Sequence, residues 1–280
     1  MHVWIADADH PQGHLVEAHQ ARVSVFDHGI TVGDGVFETV KAIGGVPFAL
    51  TRHLRRLARS AQGLGLDSPN LDLLRDGVTR ALDKHPGLDP ARVRITVTAG
   101  TGPLGSDRSG GALTYLVALA DFPQIAPSAD MWVVPWTRNE RGALTGLKTT
   151  SYADNVLALD YAKQRGSAEA IFANTAGNLC EGTGSNIFVV LDDELRTPPL
   201  SAGPLAGITR ELVLEWCGGD EVDIPMGELP RATEAFRTST GCDVQPIRAI
   251  DGVPLPAAPG PVTAKAMTVF AERSAGDLDP

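Results

Sequence analysis

Cysteine, lysine and aromatic residues are all scarce in this chain of 280 residues. Its three cysteines, Cys180, Cys217 and Cys242, lie far apart, which excludes a disulfide framework and a dithiol or thiolate-metal motif. Such usage suits a reducing compartment, so the cytoplasm is expected. No apolar run approaches the roughly 18 residues of a membrane span, and MHVWIADADH has no charged-then-apolar leader, so neither insertion nor export is expected. Basic residues number 24 against 34 acidic ones, a net charge of -10, which argues against a nucleic-acid partner. Four of the seven histidines, His2, His10, His14 and His19, crowd the start, but a loop-like setting without a second ligand cluster makes no metal site expected. What is present is a globular composition, 43% hydrophobic and 21% charged, long enough for one large or two small domains.

Because only Lys41, Lys84, Lys148, Lys163 and Lys265 occur, each lysine can be weighed singly. Lys84, Lys163 and Lys265 sit in polar helical patterns, and Lys41 ends an alternating strand. Lys148 stands between Gly146-Leu147 and the hydroxyl run Thr149-Thr150-Ser151, a semi-buried setting in which an amine can lose its proton and act as a nucleophile. A lysine at a helix start reads the same way locally. Glu181 falls at a glycine-rich bend between two apolar runs, where a carboxylate needs a partner. A protonated heterocyclic nitrogen would serve, and so would an arginine.

Alternation predicts strands over RVSVF, GVFETVKAI and VPFAL, the last two joined at Gly44-Gly45. Thr51 is the expected N-cap of a helix to Leu64, and a second helix runs over 71–84. The strands ARVRITVTAG and ALTYLVALA flank the polar loop TGPLGSDRSGG, and DFPQIAPSAD, residues 121–130, reads as an interdomain linker. MWVVPWT is a further strand, and a helix over 152–165 should bury Val156, Leu157 and Leu159. Gly207-Ile208-Thr209 opens another helix, whose first amides favour a phosphate. Thr238-Ser239-Thr240-Gly241 forms a hydroxyl-rich turn, and a last helix with proline near its start closes the chain.

The blocks FDHGITVGDGVFETVKA, HLRRL, GLKTTS, CEGTGSNIF, LAGITR and TSTGCDVQPI stand in the order seen in class IV (fold type IV) pyridoxal-phosphate enzymes, and from about residue 20 to 270 the chain resembles that family. It comprises D-amino-acid and branched-chain transaminases and aminodeoxychorismate lyases. The resemblance implies a two-domain α/β (α+β type) fold: a smaller domain over 1–120, the linker, and a larger cofactor-binding domain over 131–280 with a barrel-like sheet.

It also implies pyridoxal 5'-phosphate as cofactor. Lys148 would bind it covalently and move the substrate proton, and Glu181 would hold the pyridine nitrogen. Arg56, Ile208, Thr209, Ser239 and Thr240 would hold the phosphate. Val32 and Phe37 would face the substrate, Glu38 would approach the lysine, and the Gly241 amide would meet a substrate carboxylate. Arg94 matches an arginine of branched-chain transaminases, but their pocket tyrosine is Val32 here. The arginine of D-amino-acid transaminases is Ala99, so Arg92, Arg94, Arg108 and Arg138 all stay candidates for the carboxylate. The expected function is a homodimeric transaminase acting between a small amino acid, a D-amino acid or (R)-amine, and a 2-keto acid. The alternatives are aminodeoxychorismate lyase and branched-chain L-amino-acid transaminase.

Overall fold

The computed structural model describes residues 1–108 and 110–280. They cluster into two units: 1–123 with 147–151 and 278–280, and 124–146 with 152–277.

The first unit contains β1 (His2–Ala6), β2 (His14–Glu17), α1 (His28–Thr31), β3 (Gly35–Ile43), β4 (Val46–Pro47), α2 (Leu50–Leu64), α3 (Leu71–Asp83), β5 (Ala91–Thr98) and β6 (Thr114–Asp121). Its six strands run in the order β2-β1-β6-β5-β3-β4. Period-two alternation sorts the two faces: Val36, Val40 and Ala42 with Val93, Ile95 and Val97 join the core with Leu54, Leu57, Leu74 and Val78 of the helices. Thr39 and Lys41, opposite Arg94 and Arg92 in register, take the other face. Gly77 lets α3 lie against Trp4, because a Cβ there would come within 2.7 Å of the indole.

Several expectations are corrected here. Arg22–Phe26 is no strand but irregular chain ending in a turn, with Val25 72% exposed; its alternation has no neighbouring strand to pair with. The histidine-rich start instead forms the β1–β2 hairpin, with Val3 opposite Val16. VPFAL is strand only at Val46–Pro47, with Gly44 and Gly45 at positive φ in the turn before it. Ala49, not Thr51, occupies the N-cap of α2, in the left-handed region and with no capping side chain of its own.

Residues 147–151 belong with this unit, not with the 131–280 segment, for a visible reason. Phe37 N donates to Lys148 O at 3.0 Å and Thr150 N to Gly35 O at 2.8 Å, extending the β3 edge. Nor is 121–130 all linker, since β6 ends at Asp121 and the next strand starts at Ala129.

The second unit contains β7 (Ala129–Arg138), α4 (Ala153–Lys163), β8 (Glu169–Asn174), β9 (Leu179–Gly182), β10 (Asn186–Leu191), β11 (Glu194–Thr197), α5 (Ile208–Cys217), β12 (Asp220–Glu221), β13 (Glu234–Ser239), β14 (Asp243–Ile250), β15 (Val253–Pro254) and α6 (Pro261–Gly276). The sheet order is β12-β11-β10-β13-β14-β7-β8-β9, with β15 on β14. Met131, Ile171, Ile187, Val189 and Ile247 form its core. The chain is thus α/β with a curled sheet in the second unit.

α4 lies between the parallel strands β7 and β8, and it corrects another expectation. Asn155, Ala158 and Ala162 face inward, while Val156 and Leu157 are 66% and 54% exposed. Small side chains let α4 approach Ala170 and Phe172 closely, and the larger residues are left on the outer face.

Candidate active site

Lys148 is held by its backbone before its side chain matters. Its N–H donates to Ser60 Oγ of α2 at 3.1 Å, and its carbonyl accepts from Phe37. The ammonium nitrogen Nζ lies 4.4 Å from the centroid of the Phe37 ring. The Arg94 guanidinium lies 3.3 Å from the same centroid, so the two cations are no further apart than the sum of those distances. Two cations over one aromatic ring gain from its negative π-face, yet repel each other, a repulsion that a bound anion would relieve.

Beside them is a buried ion cluster. Glu38 is 0% exposed, because on β3 it shares the core face with Val36 and Val40. The resemblance implied that Glu38 approaches the lysine at the substrate pocket; the structure places it on the core face, paired with Arg56 and His53. Its carboxylate accepts a two-pronged fork from Arg56, Nε at 2.8 Å and Nη2 at 2.7 Å, and its Oε2 lies 2.7 Å from His53 Nδ1. Burial works to raise the Glu38 pKa, but the Arg56 charge and hydrogen bond, with His53, outweigh it and hold the carboxyl well below the usual range. Burial lowers the His53 pKa, the Arg56 and Lys148 charges work the same way, and together they outweigh Glu38. A neutral His53 then donates through Nδ1–H. Arg56, expected at a phosphate, is fixed in plane by this carboxylate.

In the second unit Glu181 lies on β9, opposite Phe172 in register. Arg138 Nε is 3.3 Å from Glu181 Oε1, and Leu205 N donates to Oε2 at 2.9 Å. The arginine partner weighed from sequence is therefore present. Arg138 also lies over the Phe172 ring at 4.1 Å. The bend after Glu181 is pinned from three elements: Thr183 Oγ1 and Gly184 N donate to Glu169 of β8, Asn155 of α4 donates to Thr183 O, and Arg237 of β13 pairs with Glu169.

Leu205 carries this order to α5, since its carbonyl accepts from Asn186 Nδ2 at 2.8 Å. The Asn186 amide oxygen lies 1.9 Å from where a Cβ of Gly207 would stand, so only glycine fits at that N-cap. Past it, Ile208, Thr209 and Arg210 present amides with no intrahelical acceptor. Asn186 is also the register partner of Thr238, which brings the α5 start to the Ser239-Thr240 end of β13. Thr238 Oγ1 is buried without a hydrogen-bond partner among the described residues, a donor suited to a bound anion. The Gly241 amide, expected at a substrate, donates instead to Ser239 Oγ at 3.1 Å.

Of the four candidate arginines, Arg138 is engaged by Glu181 and Arg108 by Asp34. Arg92 lies over Phe122, and Arg94 shares a ring with Lys148. Val32, 42% exposed, is the C-cap of α1. His53, Glu169 and Asn186 are the residues of this region that sequence reasoning missed, and Arg138, a candidate for the substrate carboxylate, pairs with Glu181 instead. Only the position of His53 in HLRRL carried a signal.

The first unit holds a lysine amine, and the second holds a carboxylate beside an arginine and a helix start near hydroxyls; each is a donor type that pyridoxal phosphate requires. The profile of the family Amino-transferase class IV matches residues 35–250. A D-alanine aminotransferase of Bacillus licheniformis is 30% identical over 274 residues, 92% of this chain and 94% of its own. The branched-chain-amino-acid aminotransferase of Pseudomonas aeruginosa is 30% identical over 285 residues, 95% of this chain and 92% of its own. The solved branched-chain aminotransferase of the archaeon Thermoproteus uzoniensis, with norvaline, has a TM-score of 0.90 at 32% identity, over 99% of this chain and 95% of that one. The chain belongs to the class IV aminotransferase family, as a fold type IV enzyme dependent on pyridoxal phosphate.

Proposed function

We propose that this enzyme transfers an amino group between a small amino acid and a 2-keto acid, with Lys148 as the catalytic amine. The observation that carries this reading is the placement of Lys148 Nζ and the Arg94 guanidinium on one Phe37 ring. An amino acid offers an amine to the first and a carboxylate to the second. Bound pyridoxal phosphate supplies the electron sink for a carbanion at the substrate Cα.

Lys148 would hold the cofactor covalently, and its amine, once freed, would move the proton of the substrate Cα. Glu181, oriented by Arg138 and Leu205, keeps a proton on the pyridine nitrogen. Arg56, Ile208, Thr209, Ser239 and Thr240 hold the phosphate, with Thr238 as an added donor. Arg94 reads the substrate carboxylate. Val32 and Phe37 bound the space for its side chain.

The donor favoured is a D-amino acid or (R)-amine, on the closeness of VGDGVFETVKA to the D-amino-acid transaminase block. Arg94, which matches an arginine of branched-chain transaminases, and Ala99, where D-amino-acid transaminases carry arginine, favour the second reading of a branched-chain L-amino acid. Adding D-alanine, D-glutamate, L-leucine or an (R)-amine singly to the yellow holoenzyme, without keto acid, decides. Bleaching to the aminated cofactor names the donor and its hand, and persistent yellow with all four sinks the transaminase reading in favour of the lyase.

The working form is a homodimer. Val25, Phe26, Ile30 and Leu104 of the first unit and Val156 and Leu157 of the second are exposed apolar side chains that a second copy could cover. No described helix is long and apolar enough to cross a membrane, and the three free cysteines suit the cytoplasm.

A further inference from the structure

We propose that Arg108 is a positioning residue for the Lys148 amine and takes no part in reading the substrate carboxylate. The inference rests on the transaminase reading above. A guanidinium has five N–H donors in a fixed fork, and four of Arg108's are engaged. Nε and Nη2 grip the two oxygens of Asp34 at 2.7 and 2.6 Å. Nη1 donates to Gly65 O at 2.6 Å and Nη2 to Leu64 O at 2.8 Å. A residue so committed has one N–H left for a ligand.

Both anchors lead to Lys148. Asp34 stands between Gly33 and Gly35, whose carbonyls receive the lysine's own segment: Thr150 Oγ1 and Ser151 Oγ on Gly33 O at 2.8 and 3.0 Å, and Thr150 N on Gly35 O. Gly33 has a positive φ, and a Cβ there would come within 2.7 Å of Ser151 Oγ, so the contact is close along its length. Leu64 and Gly65 end α2, the helix whose Ser60 holds Lys148 N. The last carbonyls of a helix lack intrahelical donors, and a cation there is favoured by the helix dipole. Arg108 thus joins the two segments that fix the lysine backbone. Asp34 is itself set by its N–H on His28 O and by its carbonyl, which accepts from Ala99 N.

The test uses Arg108→Gln, Arg108→Lys and Asp34→Asn in the full chain. The first readout is the rate at which Lys148 of the apoenzyme captures added pyridoxal phosphate, followed as visible absorbance. The second is kcat and KM for an amino acid and for the matching amine that lacks the carboxylate. Capture and kcat are expected to fall roughly tenfold or more in Arg108→Gln and Asp34→Asn, the scale of a sub-ångström to ångström misplacement, with KM nearly unchanged and the amine affected as much as the amino acid. Arg108→Lys, which keeps the charge but not the fork, should recover only part.

A loss confined to KM for the carboxylated donor would make Arg108 the carboxylate reader and overturn the inference, as would wild-type capture in all three variants. Should Arg108→Gln not fold, Arg108→Lys and Asp34→Asn carry the same comparison. Failure of the transaminase reading shows separately, in a wild-type chain that captures cofactor yet is bleached by no amine donor.

Discussion

At the scale of single residues, the cluster around Glu38 decides more than its position in the sequence suggests. Glu38→Gln removes the charge that Arg56 and His53 face and leaves a guanidinium buried without its counter-charge, the costly way to break a buried pair, at about 3–5 kcal/mol. Urea unfolding of the apoenzyme should show that loss, and the reconstituted holoenzyme should release its cofactor faster as Arg56 loses the fork that orients it; an unchanged midpoint would mean the cluster is solvated in solution. Lys148→Ala should abolish covalent attachment and turnover while changing stability little, read by absorbance and by the same unfolding curve. The two residues proposed to carry the chemistry stand out in the sequence because lysine is rare here and because Glu181 sits at a bend between apolar runs. Their supports do not. His53 reads as one more polar residue on a helix, Arg138 as a strand end, and Glu169 as a strand start, and only the fold brings each to its partner.

At the scale of elements, α2 carries His53, Arg56 and Ser60, yet it lacks a cap of its own. Asp279 supplies it from 228 residues away, accepting from Thr51 N at 2.8 Å and Thr51 Oγ1 at 2.5 Å, while Ala49 N donates to Leu278 O at 2.7 Å. Asp279→Ala should cost about 1 kcal/mol, as loss of an N-cap does, and Asp279→Asn little, since asparagine caps about as well. Hydrogen exchange at the Thr51 amide checks the assignment, and equal exchange in wild type and Asp279→Ala would refute it. The start of α2 was legible to within two residues, but its cap was not, because a cap supplied through space leaves no local pattern. The same limit explains the misread outer face of α4 and the strand expected at Arg22–Phe26: periodicity says which residues share a face, and only the neighbouring elements say whether anything covers it.

At the scale of the whole molecule, the buried cluster makes stability depend on pH in a defined direction. In the unfolded chain His53 takes up a proton near its ordinary value of 6.5, whereas in the fold its pKa is lowered, so below that pH the unfolded state binds the additional proton. Stability is then present in full above about 6.5 and falls as pH drops, at up to about 1.4 kcal/mol per pH unit for one group, until the folded His53 titrates. Glu38 adds a second decline in the same direction below its ordinary value of 4.5. Glu38 of β3, with Arg56 of α2 and Lys148, is the charged company His53 keeps. Urea midpoints measured from pH 8 down to pH 5 should therefore slope downward below about 6.5 in the wild type and lie flatter in His53→Gln, which keeps a donor to Glu38 but cannot be protonated. A wild-type curve that is level from pH 7 to 5, or a slope that survives in His53→Gln, would refute this role of His53.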